Sequence, residues 1–239
     1  MNGALVLAIC AALVLSGCTF GGGIAGSGRV ISKEYPLSDF TGVDAASAFQ
    51  VNLVRGDSFQ VTVSADDNLF DYIKIVKEGS TLRIYTDSTP GRGIRPATLR
   101  ADIQMPALDE LRLSGATRAS LSGFSSTRDL HLDVSGASRL NGAMDMGNAR
   151  MQVSGASQVT LKGSVKTMTV NVSGASKATL RDLAAEAADM ELSGASTATV
   201  HVRNNLAYNL SGASHLIYAG NPKIDRGQSS GVSSISHSE

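Results

Sequence analysis

The chain has 239 residues, 42% of them hydrophobic and 18% charged, which suits a folded domain and excludes wholesale disorder. Lys plus Arg and Asp plus Glu both number 21, so no charge excess draws the chain as a whole to nucleic acid or to an anionic bilayer. Trp is absent, aromatics make up 5% and Gly reaches 25 residues, a composition for tight turns and small-residue packing that favours repetitive β structure.

At the N-terminus, Leu5 to Leu15 is an apolar run too short to span a bilayer, ending in Leu15-Ser16-Gly17-Cys18. This tetrad resembles the lipobox of bacterial lipoproteins. The resemblance implies a removed signal peptide over residues 1–17 and a mature chain that begins at Cys18, acylated with palmitate-type chains. Several chains anchor firmly, because each buried methylene contributes about 0.8 kcal/mol. Met1, Asn2 and Gly3 lack the basic residue such a leader carries, which points to a start slightly upstream. With Cys10 removed and Cys18 acylated, the expected mature domain has no disulfide.

Residues 18–28 read as the acylated Cys and a Gly-rich flexible tether. Gly21, Gly23 and Gly26 match G-x-G-x-x-G, but no strand precedes them and no helix follows, so the match is chance. Over 29–108 short runs alternate apolar and polar: Phe49 to Val54, Phe59 to Val63, Tyr72 to Val76, Thr81 to Tyr85 and Leu99 to Met105. Turn residues separate them, notably Arg55-Gly56-Asp57 and Glu78-Gly79-Ser80. This half is all-β without strict periodicity.

From 109 to 230 one motif recurs, at Ser114-Gly115-Ala116, Ser135-Gly136-Ala137, Ser154-Gly155-Ala156, Ser173-Gly174-Ala175, Ser193-Gly194-Ala195 and Ser211-Gly212-Ala213, with intervals of 21, 19, 19, 20 and 18 residues. An apolar-polar-apolar triplet precedes each copy, and a Ser or Thr with another alternating run follows. A coil of about 20 residues cannot bury its apolar face alone, but coils stacked about 4.8 Å apart pair backbone with backbone and like side chain on like. A leucine-rich repeat would need an Asn ladder that is absent, and a β-sandwich would not repeat one tripeptide at every turn. The expected fold is therefore all-β, a right-handed parallel β-helix of 19–20-residue rungs with a less regular all-β N-terminal part. Gln228 to Glu239, rich in Ser with Gly231 in weak register, reads as a degenerate last coil and a polar tail, so that residues 29–230 form one domain and 231–239 the tail.

The lipobox, the strand region from Gly28-Arg29-Val30, the phrase Phe49-Gln50-Val51-Asn52-Leu53 and the tandem Ser-Gly-Ala-Ser rungs are similar to the head GIN domain family of bacterial auto-transporter adhesins, in a lipoprotein member. The resemblance covers 29 to 224. It implies a β-helix of the cell envelope with an adhesive role and brings no catalytic motif with it.

Chemistry in the sequence is sparse. His131, His201, His215 and His237 lack metal-ligand spacing, and no nucleophile elbow or P-loop is present. No catalytic residue, metal or cofactor is assigned. The middle residues of the triplets before the motifs, Arg112, Asp133, Gln152, Asn171, Glu191 and Asn209, should project outward from one sheet as a candidate binding strip. Within it Asp133 and Glu191 are the carboxylates that a carbohydrate-cleaving β-helix would need to bring together. Asp66, Asp67, Asn68 and Asp71 miss the EF-hand spacing and read as an acidic turn. Arg55-Gly56-Asp57 is the tripeptide that integrins read, but here Gly-Asp serves a turn.

The expected function is a non-enzymatic, lipid-anchored envelope protein presenting its surface for adhesion or scaffolding. It would be held to a membrane through the acyl chains on Cys18, with a glycan or protein as ligand and no nucleic acid. Thr19 in place of Asp after Cys18 favours the outer membrane. The alternative is a protein that binds or cleaves envelope polysaccharide.

Overall fold

The computed structural model describes residues 23–87, 93–95 and 97–238. The expected signal peptide and the lipidation site Cys18 lie outside the described residues. Among the described residues seventeen strands follow in chain order: β1 Val30–Tyr35, β2 Gly42–Ala45, β3 Gln50–Arg55, β4 Gln60–Asp66, β5 Ile73–Glu78, β6 Thr81–Thr86, β7 Leu99–Met105, β8 Glu110–Leu113 and β9 Arg118–Ser125. Then come β10 Leu130–Val134, β11 Arg139–Val153, β12 Gln158–Val172, β13 Lys177–Leu192, β14 Thr197–Leu210, β15 His215–Ala219, β16 Lys223–Ser229 and β17 Ser234–His237. The result is a β-helix of about 7 turns with rungs about 19 residues apart.

Each Ser-Gly-Ala copy is a corner between two strand faces. One face enters it, as β8, β10 and the C-terminal parts of β11 to β14, and the other leaves it, as β9, the N-terminal parts of β11 to β14, and β15. The corner glycines adopt positive φ, 77° at Gly155, and Ala156 N–H donates to the Gly136 carbonyl at 2.8 Å, so the ladder runs unbroken through the corner. Inside, like stacks on like: Leu82, Val43, Leu111, Leu132, Met151, Val170 and Met190 stand on successive coils, all buried. Burying each such side chain stabilises the fold by about 1.5–3 kcal/mol. The Ser or Thr after each corner also turns inward. The Thr117 hydroxyl donates to the Ser114 carbonyl at 2.8 Å and the Ser196 hydroxyl to Val172 at 3.2 Å, which offsets the cost of burying them.

The N-terminal half holds two further coils, and chain order is not stack order there. β2 pairs in parallel with both β6 and β8, and β3 with both β7 and β9, so the first coil in sequence is inserted between two later ones. Its corner, Ala46-Ser47-Ala48, has no glycine, and Ser47 and Ala48 carry the positive φ of 63° and 65° themselves. Beyond it, β4 pairs antiparallel with β7, β1 with β4, and β5 with β6. These antiparallel strands occupy the end of the stack, where an open parallel edge would otherwise invite pairing with another chain.

Two boundaries differ from the sequence reading. The degenerate last coil runs past the boundary set at 230: Gly231 is another positive-φ corner, Val232 N–H donates to the Gly212 carbonyl at 2.9 Å, and β17 pairs with β15. β17 reads Ser234-Ile235-Ser236-His237 with Ile235 as its one apolar residue, so the alternation that marks a strand is weak there. The tether is not free along its whole length either. Ile24 bridges Ile94, Ala25 accepts from the Asn68 side chain, and Gly28 N–H donates to Asp66 Oδ1 at 2.7 Å. The buried Asp66 carboxylate also accepts from Thr98 N–H at 2.9 Å, and a carboxylate removed from water needs such donors. A Cβ on Gly26 would fall 2.6 Å from that carboxylate, so only glycine passes there.

Candidate functional site

The six strip residues stand in one column. Arg112 pairs in register with Asp133, Asp133 with Gln152, Gln152 with Asn171, Asn171 with Glu191, and Glu191 with Asn209, each on the next coil. The column continues past both ends, through Asp44 to Arg83 and through Asn209 to Gln228. Its flanking positions all point inward, so the strip is the solvated side of a sheet whose other side is core. Arg83 bonds both Glu78 at 2.8 Å and Asp44 at 3.3 Å, while Arg112 pairs with Glu110 of its own strand. The Glu78 hydrogen bond, ahead of the other contacts, raises the Arg83 pKa above its ordinary value.

Asp133 and Glu191 are separated by three coil steps, about 14 Å at the spacing of paired strands. An acid and base that flank one glycosidic bond sit about 5 to 9.5 Å apart, so these two do not form such a pair. The acidic turn is a 3-10 helix, Asp67–Tyr72, whose carboxylates serve the chain. Asp67 bonds the Ser27 hydroxyl and, at 2.7 Å, Arg29 Nε. Arg55 and Asp57 turn towards each other across the β3–β4 turn, 3.7 Å apart. His215 Nδ1 meets the Ser234 hydroxyl at 2.6 Å and His237 Nε2 the Gly220 carbonyl at 2.8 Å. No group of three metal-ligating side chains occurs among the described residues.

A second row was not foreseen from the sequence. On the sheet that leaves the corners, the residue directly after each inward Ser or Thr points outward, and Arg118, Arg139, Gln158 and Lys177 stand there on consecutive coils. Its signal lies at a fixed offset from every motif, on the side away from the triplets that define the strip.

Comparison with solved structures finds the same fold in several proteins. A putative adhesin from Bacteroides fragilis NCTC 9343 is 18% identical, with a TM-score of 0.80 over 90% of this chain and 100% of its own. A putative lipid binding protein from Parabacteroides distasonis ATCC 8503 is 20% identical, with a TM-score of 0.68 over 90% and 99%. A putative adhesin from Parabacteroides merdae ATCC 43184 is 14% identical, with a TM-score of 0.68 over 91% and 100%. No curated protein matches the chain. The family described as "putative auto-transporter adhesin, head GIN domain" matches residues 39–222, from the residue before Phe40 to the loop before β16. With the corner motif, the stacked coils and that match in agreement, the chain belongs to the head GIN domain family.

Proposed function

We propose that this chain is a non-enzymatic cell-envelope protein, anchored by acyl chains on Cys18, that presents the outward faces of its β-helix for adhesion. The observation that supports this reading is how the repeat divides its residues. The corner Gly, the inward Ser or Thr and the apolar positions are all used in stacking, which leaves long, solvated columns in unbroken register as the variable part. A rigid ruled surface of this kind suits contact with an extended partner. The Leu15-Ser16-Gly17-Cys18 tetrad supports attachment through a lipid on Cys18, and Thr19 in place of Asp favours the outer membrane.

Fractionation and surface attachment of cells carrying the intact chain, Cys18→Ala, or no chain test both halves. Cys18→Ala should leave the membrane fraction, and cells with it or without the chain should attach less. Unchanged fractionation of Cys18→Ala would overturn the anchor, and unchanged attachment by cells without the chain would overturn adhesion.

A further inference from the structure

The face opposite the corners from the predicted strip carries an organised positive row. Arg100, Gln50, Arg118, Arg139, Gln158 and Lys177 occupy successive coils, side by side in register. Arg100 is neutralised by Asp102, with Nη2 to Oδ1 at 2.7 Å. Among the described residues, Arg118, Arg139 and Lys177 make no side-chain hydrogen bond or ion pair, and all three are exposed. Two positions along the strands runs a parallel row of amides and hydroxyls, Asn52, Ser120, Asn141, Thr160 and Thr179. The Ser120 hydroxyl bonds Asn52 Oδ1 at 2.9 Å, and Asn52 reaches Asp102 at 3.3 Å. Between the rows lies a depression of about 350 Å³, its polar lining Gln50, Asn52, Arg100, Arg118, Ser120 and Asn141.

We propose that this depression and the row leading from it bind an acidic polysaccharide, a uronate-bearing chain that lies along the stack of coils. Coils repeat about every 4.8 Å, close to the advance of one sugar in an extended chain, so successive sugars meet successive coils. Unpaired guanidinium groups on neighbouring coils bind carboxylates, Arg in bidentate fashion, while the Ser, Asn and Thr row exchanges hydrogen bonds with sugar hydroxyls. Neither row has an aromatic side chain on which unpaired bases could stack. The chain's charges balance overall, so the attraction is local to this face. The inference rests on the reading of the outward faces as adhesive surfaces and names the ligand chemistry of one of them.

The test uses the full chain in detergent, with fluorescent polygalacturonate as probe, dextran as its neutral counterpart and duplex DNA as a polyanion that is not a glycan. The chain should bind polygalacturonate and leave dextran unbound, with affinity falling as salt is raised. Arg118→Gln with Arg139→Gln should weaken binding roughly tenfold at an unchanged melting temperature, since both positions are exposed, whereas Lys223→Gln with Arg226→Gln on the other sheet should leave it unchanged. Equal binding by the two paired variants, equal binding of dextran, or DNA bound as tightly as polygalacturonate would overturn the proposal. Any of these would leave the anchoring and cell-attachment results standing, so the two readings fail separately.

Discussion

The carbonyl oxygen of Gly136 lies 2.4 Å from where a Cβ on Gly155 would stand, so the two corners pack backbone on backbone. Gly155→Ala combines the left-handed backbone cost of about 1–2 kcal/mol with a displacement of the coil beneath, and the expected loss is about 3 kcal/mol. Gly79, at φ 59° and with no atom within 4 Å of the place its Cβ would take, separates the two effects. Gly79→Ala should cost only about 1 kcal/mol. Thermal unfolding of the two variants checks this, with the corner variant melting roughly 6 °C or more below the parent.

Asp66 holds the N-terminal segment by accepting from Gly28 and Thr98 N–H groups. Asp66→Ala leaves both donors without their acceptor, at about 1–3 kcal/mol each where water cannot replace it. Amide hydrogen exchange should quicken at Gly28 and Thr98 and stay slow at Ala156, whose bond to Gly136 lies in the distant stack.

The same segment should respond to acid. The Ser27 hydroxyl, followed by the Arg29 guanidinium, holds the Asp67 carboxyl below its ordinary value of 3.8. A depressed pKa contributes stability that is present above the unfolded value and lost as pH falls through the folded one. Protease cleavage near Ser27 should therefore rise as pH drops below 3.8, and Asp67→Asn should flatten that dependence. Asp225, lowered by the Asn205 hydrogen bond first and Lys223 next, should loosen the last coil in the same window.

Arg112 stands between Asp44 and Asp133 on neighbouring coils. Arg112→Glu would line up three carboxylates at strand spacing, a like-charge arrangement that costs about 1 kcal/mol. The urea midpoint should fall at low salt and recover in part at high salt, where exposed charges are screened.

How much of this was legible follows from where like residues repeat. The corners and the Arg112-to-Asn209 column could be read because each sits at a fixed offset from a glycine, and stacking turns a fixed offset into a straight line. The first coils could not, since β2 and β3 slip between strands that come later in the chain, and the Ala46-Ser47-Ala48 corner lacks the glycine that marks the others. The docking of Gly28 on Asp66 joins residues 38 positions apart, a separation at which no local pattern exists. The Arg118 row was open to reading by the same fixed-offset rule that exposed the strip.

The claim that the outward faces carry the activity is tested most directly by attachment of cells displaying the full chain with Arg118→Gln and Arg139→Gln, or with Asp133→Asn and Glu191→Gln. Both paired variants should keep the parent melting temperature and membrane fraction, and at least one should attach no better than cells without the chain. Full attachment by both would contradict the claim.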